Sequence, residues 1–154
     1  MYTFRIATPE DADALVRIRT DFMSGYDRPM GEADYAALAN YRAFLLDGMR
    51  DGSYVMWLAE TGGEIVATGS ASFYRLPPIA GRPNGWEAYV GNMFTYPAHR
   101  RQGLAGEILR LLAEEARAAG CGAVTLHATK DGRPLYERFG FADAADMMRF
   151  PLER

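Results

Sequence analysis

Residues 103–119 carry the strongest periodic signal in the chain. Leu104, Ile108, Leu111 and Leu112 recur at helical spacing, while Glu107, Arg110, Glu114 and Arg117 fall on the other side. A helix of this kind must lay its apolar stripe on another element, and Gly120 is placed to stop it. Residues 86–95 before it have strand composition. Residues 123–127 after it form a short, mostly apolar strand of the buried kind. A chain with this centre is committed to helices packed on a sheet.

The flanking segments agree. Residues 2–7 alternate polar and apolar side chains, as a first strand does. Thr8 can cap a helix, Pro9 suits its first position, and Glu10 and Asp11 favour its positive end. Leu15, Ile18 and Phe22 then continue that helix to about Met23. A loop with Gly25, Pro29 and Gly31 separates it from a second helix over 32–49, with Leu38, Tyr41, Leu45 and Met49 on one side. Residues 54–60 and 64–74 read as two strands joined at Gly62-Gly63. The segment 76–85 holds Pro77, Pro78 and Pro83, and is expected to be a surface loop beside a site. A short helix over 133–139 is stopped by Gly140, and 141–152 is expected to be one more strand. The order β-α-α-β-β-β-α-β-α-β predicts a mixed α/β (α+β) arrangement around one sheet, as a single domain over 1–154.

Composition excludes several classes. Seventeen basic against twenty acidic residues argue against a dedicated nucleic-acid partner. The single cysteine, Cys121, excludes an intrachain disulfide and a multi-cysteine metal site, and no metal is expected. No apolar run approaches the roughly 18 residues of a membrane span, and the first residues lack the pattern of a secretory signal. The expectation is a cytoplasmic protein without a membrane partner.

The chemistry concentrates in 93–105. There a strand ends, the basic turn His99-Arg100-Arg101 follows, and a helix opens at Gly103. A helix start exposes unpaired N–H groups and the positive end of the peptide dipoles. Gly103 carries no side chain to block an anion, Ala105 is nearly as small, and Arg100 and Arg101 add charge. Together these make a phosphate or pyrophosphate cradle. It is not a P-loop, because Gly103 is followed by Leu104-Ala105 rather than Lys-Ser/Thr. Nor is it a Rossmann fingerprint, which needs a third glycine and a downstream acid.

Arg100, Gly103 and Ala105 fill the specified places of the Arg/Gln-x-x-Gly-x-Gly/Ala signature of the GNAT superfamily of acyl-CoA-dependent N-acyltransferases. Leu135, Tyr136, Glu137, Gly140 and Phe141 match that family's downstream Leu-Tyr-Glu-x-x-Gly-Phe stretch. Both motifs stand in the expected order, so the chain resembles this family over nearly its whole length. The resemblance implies a mostly antiparallel central sheet, flanked by helices and splayed at a cofactor site, with acetyl-CoA as co-substrate. It implies that backbone groups of the 93–95 strand end (Met93, Phe94, Thr95) pair with the pantetheine arm. It also implies that N–H groups of Arg101, Gln102, Gly103, Leu104, Ala105 and Gly106 hold the pyrophosphate, helped by the charge of Arg100 and Arg101. Arg133 is counted with these contacts. Thr129 stands in for an asparagine that many relatives carry before the tyrosine motif. The glycine that often follows the signature arginine is Arg101 here. Tyr136 matches the position often used as general acid toward the departing thiolate.

For the base that takes the amine proton, the strand leading to the cofactor offers Glu87 and Tyr89, on one face if the strand is regular. Tyr89 is the best-matching place. Asn92 either orients a water or substrate or satisfies a strand end. His127 ends a strand near the cleft and is read first as a structural hydrogen-bonder, with a base as the lesser reading. His99 is read as exposed. The acids Asp21, Asp27, Glu32 and Asp34 suggest a small cationic amine as acceptor, with a peptide or protein amine as the competing one. A silent acyl-CoA-binding sensor is the alternative of a different class. The final strand offers a surface for a homodimer.

Overall fold

The computed structural model describes residues 1–152. In chain order it contains β1 (Thr3–Ile6), α1 (Ala12–Ser24), α2 (Glu32–Asp51), β2 (Tyr54–Thr61), β3 (Glu64–Arg75), β4 (Trp86–Thr95), α3 (Leu104–Ala118), β5 (Val124–Leu126) and α4 (Arg133–Phe139). Single 3₁₀ turns, Pro9–Asp11 and Pro97–His99, precede α1 and follow β4. The strands form one sheet in the order β1-β2-β3-β4-β5. The first four pair antiparallel, and β5 joins β4 in parallel through the α3 crossover. The family's mixed, mostly antiparallel sheet is therefore present.

Period-two alternation along β2 sets up the layers. Tyr54, Met56 and Leu58 point to one face, where they pack with Leu15 and Ile18 of α1 and Leu45 of α2. Val55, Trp57 and Ala59 point to the other, where Leu104, Ile108, Leu109 and Leu112 of α3 and Tyr136 of α4 close a second core. The buried side of α3 is wider than the periodicity of leucine and isoleucine suggests. Leu109, Ala113 and Ala116 are buried with the stripe, whereas Leu111 is only half-buried, because the helix presses onto the middle of the sheet. Gly69 permits that approach: a Cβ there would lie 2.5 Å from both Ile108 Cγ2 and Met93 Sδ.

The proline-rich segment 76–85 is anchored near the C-terminal end of α3. Asn84 donates from Nδ2 to the Gly120 carbonyl and accepts from the Trp86 N–H, tying the loop to that end of α3. The expected last strand does not form within 141–152. Phe141 stacks near Tyr136 and Phe139, and Arg133 holds Asp143 at 2.9 Å. Beyond that, Met147, Met148 and Phe150 are exposed. A strand exists only through its ladder partner, and this segment has none among the described residues.

Candidate active site

β4 and β5 pair over only three positions, Ala88↔Val124, Tyr89↔Thr125 and Val90↔Leu126. β5 then ends, while β4 runs on to Thr95 with β3 as its only ladder partner among the described residues. A wedge opens between them. At its apex β4 is irregular: Gly91 pairs with Ser70 and Phe94 with Thr68, so Asn92 and Met93 together stand opposite Gly69. This is a bulge, and Asn92 turns it with φ +52°. Hydroxyls from the buried Thr68 and Ser70 donate to the Asn92 and Gly91 carbonyls at 2.9 and 3.0 Å.

At the wedge's open end the chain forms the cradle. Arg101 (φ +65°) and Gly103 (φ +79°) are both left-handed, and α3 begins with no side-chain cap among the described residues. The first helical turn of α3 is closed by the Glu107 N–H donating to the Gly103 carbonyl at 3.1 Å. The N–H groups of Leu104, Ala105 and Gly106 are thus left facing outward. A Cβ on Gly103 would meet nothing within 4 Å, so the surface over these donors is open. Arg100 and Arg101 are exposed beside it. Arg100 also folds back, with Nε 2.9 Å from the Thr95 carbonyl, which occupies one backbone group of the strand end. Gln102 is exposed. Donors, dipole and guanidinium charge converge here as a diphosphate requires.

Tyr136 reaches the wedge from α4. Its ring is buried against Phe141 and over Gly132, where a Cβ would come within 2.8 Å of Cε2. Burial, with Tyr89 adding to it, pushes the phenol above its ordinary value, so it is protonated at neutral pH. Its hydroxyl makes no hydrogen bond among the described residues. It is also not among the side-chain atoms sealed from solvent, of which Arg82 Nη1 is the unpartnered case. Tyr89, half-buried on β4, places its hydroxyl 2.7 Å from Nδ1 of His127, just past the end of β5. Tyr89 and His127 therefore meet where the strands part, and Tyr136 lies near enough for Tyr89 to act on its phenol.

Several predicted residues are engaged elsewhere. Glu87 accepts from the Tyr74 hydroxyl at 2.8 Å and pairs with Arg82 at 3.0 Å, with both partners of the ion pair largely buried. It is a clamp between β3, β4 and the 76–85 loop, not a free carboxylate. The Thr129 hydroxyl accepts from the Gly132 N–H and caps the turn into α4. Arg133 bridges Glu137 and Asp143. His99 is held by the Tyr2 hydroxyl at 3.1 Å. Of the acids on the acceptor side, Asp34 is gripped by both Nη groups of Arg28 and by the Gly31 N–H, and its carboxyl is held down to about 2. Asp21 accepts from Tyr96 at 2.5 Å. The partnership of Tyr89 with His127 carries no local sequence signal, since the two lie 38 positions apart.

Among the described residues no helix is long and apolar enough to cross a membrane, and no group of three His, Cys, Asp or Glu side chains is arranged to hold a metal ion. Comparison with known proteins matches residues 13–141 to the model of the Acetyltransferase (GNAT) family. Among curated proteins no match is found. A predicted acetyltransferase from Clostridium acetobutylicum, solved with acetyl-CoA, superposes with a TM-score of 0.87 at 29% identity, covering 99% of this chain and 97% of that one. A GCN5-related N-acetyltransferase from Ralstonia eutropha JMP134 gives 0.87 at 26% identity, covering 99% and 100%. Glucosamine-6-phosphate N-acetyltransferase from Arabidopsis thaliana, at 16% identity and a TM-score of 0.70 over 99% of each chain, shares the fold. With the family model spanning most of the sequence and the wedge and cradle in place, this chain belongs to the GNAT family of acetyltransferases.

Proposed function

We propose that the protein transfers an acetyl group from acetyl-CoA to a primary amine by direct attack, within a single domain. The observation that carries this reading is the free, protonated phenol of Tyr136 in the wedge that also holds the Tyr89–His127 pair. The fit to the carrier rests on the open donors of Leu104, Ala105 and Gly106 and on the bare Gly103 between the guanidinium groups of Arg100 and Arg101. When bound, acetyl-CoA supplies a thioester, an acyl group already activated toward amines.

The residues divide the work as follows. The α3 N-terminus holds the diphosphate through its N–H groups and dipole. The 93–95 strand end receives the pantetheine arm, with Thr95 contributing its N–H, because its carbonyl is taken by Arg100. The Met93 N–H, beyond the last β4–β5 pair, donates to the carbonyl oxygen as negative charge grows there. The Tyr89–His127 pair accepts the amine proton. As the C–N bond forms and the C–S bond breaks, Tyr136 gives its proton to the sulfur and regains one from the medium. Glu87 does not serve as the base in this reading, because its oxygens already accept from Tyr74 and pair with Arg82.

The acceptor in this reading is a small amine. Asp27 and Glu32 supply acceptor-side negative charge, and Asp34 contributes little because Arg28 neutralises it. A peptide or protein amine is the competing acceptor. Thiol release from acetyl-CoA over a panel of small amines and peptides tests the reading. Turnover with at least one amine, lost in Tyr136→Phe while coenzyme A affinity holds, is the expected result. Cofactor binding with no acylation of any amine would favour the sensor alternative.

A further inference from the structure

Asn92 is held more tightly than a strand-end amide requires. Its Nδ2 donates to the hydroxyls of Tyr41 on α2 and Tyr54 on β2, each at 2.9 Å, and its Oδ1 accepts from Arg19 of α1. Its carbonyl accepts from Thr68 of β3. Four elements thus converge on one residue of β4. Arg19 is itself fixed: its guanidinium lies 5.2 Å from the Phe22 ring centre and 5.8 Å from that of Tyr41, and no carboxylate pairs with it among the described residues. The cavity over this cluster, lined by Arg19, Phe22, Tyr41, Asn92 and Phe94, has a volume of about 10 Å³. That is room for about one water and too little for an acceptor. The polar atoms of the cluster satisfy one another.

The cluster centres on the bulge. Asn92 is left-handed, a conformation unfavourable to side chains other than glycine and tolerated best by asparagine and aspartate. Its ψ and the plane of the next peptide set the direction of the Met93 N–H. We propose that Asn92 is a positioning residue for acetyl transfer: clamped by Arg19, Tyr41 and Tyr54, it locks the left-handed turn that aims the Met93 amide at the thioester carbonyl. The inference rests on the reading of the wedge as the acetyl-transfer site. It adds that helices α1 and α2, which pack on the sheet face opposite α3, control the geometry of the acyl-binding strand.

The test uses the full chain and four variants: Asn92→Gly, which keeps the left-handed turn accessible and removes the clamp; Arg19→Met; the double variant; and Asn92→Asp, whose carboxylate can accept from Arg19 and from both phenols. Coenzyme A affinity is measured by calorimetry and kcat with the best amine of the panel. The carbonyl ¹³C resonance of bound [1-¹³C]acetyl-CoA reports hydrogen bonding at that oxygen. The expected result is a coenzyme A Kd within about 3-fold of the parent and a kcat about 10- to 100-fold lower in Asn92→Gly and in Arg19→Met. The double variant is no worse than either single one, the carbonyl resonance moves toward that of free acetyl-CoA, and Asn92→Asp retains most activity. A role confined to stability would lower the melting temperature and leave the resonance where it is. That outcome, a kcat within 2-fold of the parent in Asn92→Gly or Arg19→Met, or equal losses in kcat and coenzyme A affinity in those variants would each overturn the proposal. Failure of the parent protein to bind coenzyme A would instead sink the reading of the wedge, and this inference with it.

Discussion

The hydroxyl of Tyr89 and Nδ1 of His127 lie 2.7 Å apart across the last turn of pairing between β4 and β5. The tyrosine comes from a strand that continues past the contact and the histidine from one that has just ended, so the pair marks the point where the wedge opens. If this pair accepts the amine proton, His127→Ala and Tyr89→Phe each lower kcat about 100-fold. The double variant is no slower than the worse single one, because the two act as a unit. Steady-state kinetics with a saturating amine checks this, and two small independent losses would contradict it.

Tyr136→Phe removes the phenolic hydroxyl and keeps the ring that packs against Phe141. The expected result is a kcat about 10² to 10³ lower, with coenzyme A affinity unchanged within about 2-fold. Gly132→Ala probes the same group from behind. Its methyl would sit 2.8 Å from Cε2 of Tyr136, so the ring must shift. A kcat loss of about 10-fold without loss of cofactor binding is expected. Wild-type rates in both variants would show that the phenol does not act.

Glu87→Gln separates a structural carboxylate from a catalytic one. Its partners, Arg82 and Tyr74, and its largely buried position predict destabilisation by about 2 kcal/mol. They also predict kcat/KM within about 3-fold of the parent. Urea melts and kinetics on the same preparation decide between them.

Arg101 adopts φ +65° in the turn that leads into α3. Arg101→Gly relieves this conformation and should stabilise the fold by about 0.5–1 kcal/mol, raising the melting temperature by about 1–4 °C. It should also weaken coenzyme A binding several-fold through the lost charge. Gly103→Ala does the reverse to the backbone: there is space for the methyl, but φ +79° costs about 1 kcal/mol. Thermal unfolding measures both.

Several phenols are raised above their ordinary value of 10, in each case first by burial: Tyr41, Tyr54, Tyr74 and Tyr136, with Tyr96 pushed up to about 12. The unfolded chain therefore loses these protons first. Stability should be flat below pH 10 as far as these groups are concerned and fall as pH rises through 10 toward 12. Urea midpoints taken at pH 8, 9, 10 and 11 test the direction. A midpoint that stays level from pH 10 to pH 11 would show the phenols to be more exposed than described.

The sequence was most legible where chemistry is local. The β4 and α4 boundaries read from composition match the structure, and the other helices and strands agree within a few residues. The cradle was readable because a helix start, a glycine and two arginines occupy consecutive positions. The bare amides and their dipole follow from the backbone there with no distant partner. The final segment, expected as a strand, misled because a strand forms only where another strand is available to pair with it.

What tertiary structure alone decided is which polar groups are free. Glu87 looked like a base because it lies two residues from Tyr89, but Arg82 and Tyr74 consume it. Asp34 looked like a trap for cations until Arg28 was found on it. His127, a structural hydrogen-bonder or base in sequence, receives Tyr89 as its partner from the fold, and Asn92, open in sequence between orienting a water or substrate and satisfying a strand end, is gripped by α1, α2 and β2. Residue type sets what a side chain is able to do. Hydrogen-bond capacity is finite, so whether it does it depends on the neighbours that folding brings from 38 or 73 positions away.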